Sequence, residues 1–151
     1  MVAIIMPKLA SLVTKLQHGY PTLTFTLSDR FYYHVPDTIF YSTSTDASTN
    51  QSCLLLLHEL GHYLINHNEY QSDVELIKIE ALAWAKAKTL AAKYQIPWDD
   101  DFIEDQLDTY RDWLHANSLC PNCQLTGFQD DRGLYHCPLC NKTWPSKYHI
   151  D

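Results

Sequence analysis

Two histidines and a glutamate occur together in the segment His58-Glu59-Leu60-Gly61-His62. On a helix, residues four apart lie on one face, about 40° from each other around the axis. Both imidazoles can therefore bind one metal ion, and Glu59 can act on water at that metal. The segment predicts a catalytic zinc site with Glu59 as the base. The alternative is two ordinary core histidines, but buried polar groups without partners are costly.

A catalytic zinc normally has three protein ligands and one open position, so a third ligand is needed. His67 lies nine residues after His58, about 180° around a continuing helix, and would face away from the metal. Glu75 and Glu80 follow on the next predicted helix, about 140° apart around its axis. Glu75 has polar neighbours, whereas Glu80 lies within an apolar stripe, where a carboxylate needs a partner. We therefore predict Glu80 as the ligand; an ion pair of Glu80 with an arginine or a terminus is the alternative.

Four cysteines near the C-terminus form the two pairs Cys120-Pro-Asn-Cys123 and Cys137-Pro-Leu-Cys140. Between the pairs, Asp130-Asp131-Arg132-Gly133 is typical of a hairpin turn between two short strands. Four thiolates close the coordination shell of a zinc ion, so we expect a structural zinc, as in a zinc ribbon. Disulfides are the alternative, and they require an oxidising compartment. The fifth cysteine, Cys53, is interpreted as a packing residue.

The elements that position these residues follow from hydrophobic spacing. Alternating and aromatic runs over residues 22–42 predict a small three-stranded antiparallel sheet. The motif helix precedes the glutamate helix, and a zinc ribbon follows the last helix. The fold class is therefore α+β, with one domain at residues 1–117 and the zinc ribbon with its tail at residues 118–151. The predicted helices lie near residues 7–18, 51–66, 74–94 and 99–117.

Composition and charge limit the classes of partner. The chain has 151 residues and a hydrophobic fraction of 46%, as expected of a globular protein with one core and a small appendage. Its net charge of −7 argues against nucleic acid as the main partner, because phosphate binding needs a basic surface. A local nucleic-acid contact through the zinc ribbon stays open. No secretory signal or membrane-spanning run is recognised, so we expect a cytoplasmic protein.

The motif helix, the glutamate helix and the strands before them resemble the gluzincin class of metallopeptidases. Within that class the order of elements is similar to the ImmA/IrrE family and the minigluzincins. The resemblance covers roughly residues 7–95 and depends on the HELGH segment at 58–62 and on Glu80-Ala81. It implies a zincin-like domain and zinc-dependent hydrolysis of peptide bonds in an intracellular protein. The chain departs from the class at Leu82, where asparagine or aspartate is frequent, and at Trp84, where many members have an acidic residue.

The resemblance also implies a substrate site and an oxyanion donor. In similar enzymes the edge strand before the motif helix binds substrate as an added strand, which here implies Ile39, Phe40 and Tyr41. Ordinary sheet core is the alternative for these three residues. The oxyanion donor comes from downstream, which implies Tyr110 and His115; packing or solvent exposure is the alternative for each.

Two alternative hypotheses about function are based on the same residues. The DNA-associated SprT-like proteases also combine HExxH with a zinc ribbon, but they use a third histidine. No histidine occurs between His67 and His115, and the acidic charge also fits such a protease poorly. The other reading is a non-enzymatic interaction module held together by metal, against which the intact Glu59 argues.

Overall fold

The computed structural model describes residues 9–43, 46–66 and 70–147, and these form an α+β fold, as predicted. Two small sheets of three strands accompany four helices in the described residues. The helices are α1 (Leu9–Gly19), α2 (Thr49–Ile65), α3 (Asp73–Tyr94) and α4 (Asp100–Ser118). The strands are β1 (Thr24–Ser28), β2 (Tyr32–His34), β3 (Thr38–Ser42), β4 (Phe128–Gln129), β5 (Leu134–His136) and β6 (Thr143–Pro145). In the described part of the chain, no helix combines the length and apolarity that crossing a membrane requires.

The described chain forms two compact units, and α3 contributes to both. The first unit contains the residues up to 66 together with 82–102, and the second contains 70–81 together with 103–147. The first therefore includes α1, the sheet of β1 to β3, and α2. The second includes α4 from Ile103 onward and the sheet of β4 to β6. The domain boundary between residues 117 and 118 stays a prediction.

The sheet of the first unit is mixed, with the strand order β1-β3-β2. β3 pairs with β1 in parallel and with β2 in antiparallel orientation. The predicted antiparallel sheet is therefore wrong in its arrangement, although all three strands are present. The reason is that alternation reports which face of a strand is buried and does not report which strands are neighbours.

The central position of β3 contradicts the expected edge strand at Ile39, Phe40 and Tyr41. β1 and β2 occupy the two edges, and Ile39 is completely buried. Pairing on both sides uses the backbone groups of Ile39 and Phe40, so a substrate strand cannot be added there.

α2 begins with a capping box, in which the Ser48 hydroxyl accepts from the Gln51 backbone and the Gln51 side chain accepts from the Ser48 backbone. It ends at Asn66, whose left-handed φ of 49° stops the helix. Between these ends the leucines of the helix pack on several sides, which agrees with the predicted buried helix. The fully buried leucines are Leu54, Leu56, Leu57 and Leu60.

A glycine lets α2 approach α3 closely. A Cβ atom added at Gly61 would collide with the backbone carbonyl oxygen of Ala83 in α3. Only glycine fits this contact without movement of one helix. Because Gly61 directly precedes His62, the contact brings the motif helix against the glutamate helix beside the candidate metal ligands.

The second unit contains the predicted zinc ribbon, with the antiparallel strand order β4-β5-β6. The predicted hairpin turn is present: the Asp130 amide donates to the Leu134 carbonyl at 2.9 Å, and Gly133 has a φ of 83°. A third strand, β6, was not predicted; Trp144 in this strand stacks on Tyr135. Cys120, Tyr135, Cys137 and Trp144 form the small buried core of the ribbon.

Candidate metal centres

His58, His62 and Glu80 form a buried cluster between α2 and α3. Their ligand atoms all lie within 4.8 Å of one another. The Nε2 atoms of the two imidazoles are 3.0 Å apart, and the three residues are only 5–7% exposed. The two imidazoles are one turn apart on α2, as the spacing predicts, and α3 supplies the carboxylate. The sequence therefore predicted correctly which three residues meet.

The geometry fits a zinc ion. Nitrogen ligands about 2.0–2.1 Å from a tetrahedral zinc are ~3.4 Å apart, close to the observed separation of the two Nε2 atoms. Two imidazoles and one carboxylate are a donor set that zinc accepts. This cluster is a potential metal site.

Glu75, the rejected ligand, has a different environment. It is exposed, and its carboxylate accepts a hydrogen bond of 2.7 Å from the Gln71 backbone amide. Its own amide donates to the Ser72 hydroxyl at 3.2 Å. These two bonds satisfy backbone groups at the start of α3, so Glu75 has a capping role. His67 lies outside the described residues.

The candidate catalytic residues differ in burial. Glu59 is half-buried on α2, next to His58. On α4, Tyr110 is half-buried and His115 is exposed. His115 also lines a cavity of about 520 Å³ with Arg111 and Phe128. The roles of Glu59 as base and of Tyr110 and His115 as oxyanion donors stay predictions.

Trp84 belongs to the histidine site, and sequence reasoning missed it. Its ring stacks on the His58 imidazole, with centroids 4.1 Å apart and planes inclined by 19°. In the sequence, Trp84 is recognisable only as a tryptophan at a position where many gluzincins have an acidic residue. The sequence feature that could have identified Trp84 as a site residue is its spacing of four residues from Glu80, which places both on one face of α3.

Cys120, Cys123, Cys137 and Cys140 form the second cluster, as predicted. Three of the sulfur–sulfur distances are 3.3, 3.6 and 3.8 Å. Sulfurs about 2.3 Å from a tetrahedral zinc are ~3.8 Å apart, so four thiolates fit around one ion. A disulfide requires a separation of about 2.05 Å, which none of the four cysteines has with another. The cluster is a potential metal site.

The two cysteine pairs have the same backbone geometry. The Cys120 amide donates to the Leu125 carbonyl at 2.8 Å, and the Cys137 amide donates to the Lys142 carbonyl at 2.9 Å. The residue after each pair is left-handed, with φ of 59° at Gln124 and 60° at Asn141. Backbone amides from Cys140 and Leu139 lower the pKa of the Cys137 thiol to about 6, although burial opposes this shift. These backbone bonds favour the thiolate form of Cys137, which is the form that binds metal.

Cys53 is separate from both clusters. It is completely buried in α2, and burial raises the pKa of its thiol to about 11. A thiol with that pKa stays protonated at neutral pH, which agrees with the predicted packing role.

No family model, no curated protein and no solved structure matches this chain. The resemblance to gluzincins therefore depends on the residues and motifs themselves.

Proposed function

We propose that this chain is a zinc-dependent metallopeptidase that hydrolyses peptide bonds of a protein substrate in the cytoplasm. One observation carries the proposal: the ligand atoms of His58, His62 and Glu80 converge within 4.8 Å. Glu59 is adjacent to His58 on the same helix. Its carboxylate makes no hydrogen bond or ion pair with another described residue. Two imidazoles, one carboxylate and an adjacent glutamate are the groups that metal-assisted peptide hydrolysis needs.

In the proposed mechanism, His58, His62 and Glu80 would hold the zinc ion. Zinc, when bound, supplies Lewis acidity that polarises the scissile carbonyl group and lowers the pKa of water toward ~7. Glu59 accepts the proton of the attacking water on its carboxylate. The same carboxylate then returns this proton to the departing amine. Tyr110 or His115 donates a hydrogen bond to the oxyanion that forms at the carbonyl.

We also propose zinc for the four-cysteine cluster. A closed shell of four thiolates leaves no position for substrate, so this ion acts in folding. The small buried core of the ribbon has few apolar residues, and lobes of that size need a metal or a disulfide for stability. A reducing cytoplasm keeps these thiols available to the metal.

The chemical types of the three candidate ligands favour this function over the SprT-like hypothesis. That group uses three histidines, whereas the third member of this cluster is the carboxylate of Glu80. The net charge of −7 also disfavours a DNA-associated enzyme. The non-enzymatic interaction module stays the competing hypothesis. The experiment described next distinguishes it from a peptidase.

The test is the substitution Glu59→Gln in the zinc-loaded protein. We expect the variant to keep two zinc ions, because Glu59 is not a member of the ligand cluster. Cleavage of a mixed-sequence quenched fluorescent peptide library should fall by about 10²–10⁴-fold, because proton transfer by a positioned base contributes that much. Zinc content is measured by elemental analysis, and cleavage by fluorescence.

The matched control is Glu104→Gln, which removes an exposed carboxylate that pairs with Arg111 on α4. It should cleave at the parent rate. Equal rates for Glu59→Gln and the parent would show that Glu59 is not the base. A zinc-loaded parent that cleaves no member of the library, nor unfolded casein, would favour the interaction module.

A further inference from the structure

The orientation of a metal-binding imidazole is normally fixed by a second group. A histidine ring can rotate about its χ2 bond, and its Nε2 atom binds metal only in part of that range. In most metal sites a carboxylate or carbonyl hydrogen-bonded to the other ring nitrogen restricts this rotation. In this chain an aromatic face lies against one of the two rings. That face belongs to Trp84, four residues and one helical turn after Glu80.

Trp84 covers His58 in a nearly parallel stack. The ring centroids are 4.1 Å apart and the planes differ by 19°. The other ligand imidazole, His62, is inclined by 77° to His58, with the two Nε2 atoms 3.0 Å apart. A rotation of the His58 ring out of its plane would strike the indole and would also turn its Nε2 away from His62. The stack therefore favours the ring orientation in which both nitrogens face one point.

Trp84 is itself held in place. It is 3% exposed, and its ring meets Trp98 and Phe102 edge to face, with centroids 6.3 Å apart in both pairs. Trp98 is fixed in turn, because its indole nitrogen donates to the Asp100 carboxylate at 3.0 Å. The indole on His58 is therefore a rigid surface, because a side chain surrounded by aromatic rings has few alternative rotamers.

We propose that Trp84 is a positioning residue for the metal ligand His58 and that its aromatic face holds the imidazole ready to bind. This inference rests on the proposed metal centre and extends it. An indole orients the ring through contact and adds no charge to the site. Stacking on the indole thus restricts the orientation of the imidazole, as a hydrogen bond to a carboxylate does at other metal sites.

The test measures metal binding, independently of catalysis. Dipicolinate first removes the accessible zinc from the histidine site, and Co²⁺ is then titrated into the protein. The dissociation constant and the d–d absorption spectrum of the Co²⁺ form are recorded for the parent, Trp84→Phe and Trp84→Leu. Trp98→Phe is the matched control, because Trp98 contacts Trp84 and has no ring contact with His58 among the described residues. Circular dichroism verifies that each variant is folded.

We expect Trp84→Leu to weaken Co²⁺ binding about three- to ten-fold, which is the size of one aromatic stacking contact. Its d–d spectrum should also change, because the His58 ring loses a single orientation. Trp84→Phe keeps an aromatic face and should stay within about two-fold of the parent, as should Trp98→Phe. If Trp84→Leu does not fold, Trp84→Met is used in its place. The Co²⁺ affinity and spectrum of Trp84→Met are then compared with those of Trp84→Phe, and the same differences are expected.

Two results would overturn the inference. One is parent-like affinity and spectrum in the leucine or methionine variant. The other is an equal loss in Trp84→Phe, because the effect would then follow side-chain volume and not the aromatic face. Failure of the proposed metal centre gives a different result: the parent itself would bind no Co²⁺ at the histidine site after dipicolinate treatment. Failure of the peptidase function alone would leave Co²⁺ binding intact and would appear only in the peptide-cleavage assay.

Discussion

Glu80 is a buried carboxylate on the same helix face as a buried tryptophan. Burial of a carboxylate in an apolar stripe is costly unless a positive charge offsets it. A divalent cation bound beside this carboxylate would supply such a charge. At the scale of single residues, the proposed metal ion would offset the cost of burying a glutamate at this position of α3.

The substitution Glu80→Gln tests that explanation. A neutral amide is a poorer zinc ligand than a carboxylate, and loss of a direct ligand should exceed the 10–100-fold loss caused by removal of an outer partner. We therefore expect zinc affinity at the histidine site to fall by more than about 100-fold. Elemental analysis after dialysis should find one zinc ion per chain in place of two.

Glu75→Gln is the control, since it makes the same chemical change on the same helix at an exposed capping position. It should retain two zinc ions and lose only part of its helix cap. Retention of both ions by Glu80→Gln would show that Glu80 is not a ligand.

The choice between these two glutamates was available from the sequence, because the apolar neighbours of Glu80 indicated a buried face. The contact of Trp84 with His58 was not available. It depends on how closely α2 and α3 approach at Gly61, a distance that no local pattern in the sequence encodes. The residues that bind a metal are constrained by chemistry, whereas those that orient them are set by packing.

At the scale of elements, the first turn of α3 is tied to the ribbon within the second unit. Asp73 is buried, and its carboxylate accepts from the Tyr135 hydroxyl at 2.6 Å and the Ser146 hydroxyl at 3.0 Å. Its backbone amide donates to the Gln129 side chain at 2.8 Å. Burial, and then the bond to Asp73, raises the pKa of Tyr135, so the phenol stays protonated and donates. The ribbon thereby holds the start of the helix that carries Glu80.

Asp73→Ala should destabilise the protein by about 3 kcal/mol. The substitution removes hydrogen bonds to a charged group and leaves the buried Tyr135 hydroxyl without its acceptor. Urea unfolding of the zinc-loaded protein, followed by circular dichroism, gives the free energy of unfolding. Asp101→Ala is the matched control, because Asp101 is also in the first turn of a helix but is exposed. It should cost only about 0.3–1 kcal/mol through the helix dipole. Equal losses in the two variants would contradict an anchoring role for Asp73.

Elements differ in how well the sequence predicts them. The bounds of α2 and α3 agree with the prediction because capping residues mark them, as Ser48 and Gln51 do for α2. The order of β1, β2 and β3 was not predictable, since strand neighbours are set by contacts between distant residues. β6 was missed because Thr143–Pro145 is too short to show alternation.

At the scale of the whole molecule, the chain carries two potential metal sites with different chemistry. The histidine site has three candidate ligands, so a zinc ion bound there would keep a fourth position that a chelator could occupy. The cysteine site has four ligands, and its buried core also contains Tyr135 and Trp144. A closed thiolate shell has no free position for a chelator to enter, and protonation or modification of the thiolates weakens its hold on the metal. The two sites should therefore release zinc separately.

Stepwise removal of zinc tests this difference. Dipicolinate should remove one zinc ion per chain without a change in far-UV circular dichroism, because the histidine site is not needed for the fold of the ribbon. A mercurial thiol reagent should then release the second ion and increase the solvent exposure of Trp144. The indole nitrogen of Trp144 donates to the Asn117 carbonyl at 2.7 Å, and this bond depends on the folded ribbon. The fluorescence emission of Trp144 should therefore shift to longer wavelength.

The control for the thiol reagent is Cys53→Ala, which removes the buried cysteine outside the ribbon. It should release the second zinc at the parent rate, because the Cys53 thiol is protonated and poorly reactive. The separation of the two sites would be wrong if dipicolinate removed both ions together. A second ion that left without any change in Trp144 emission would instead show that the ribbon folds without metal.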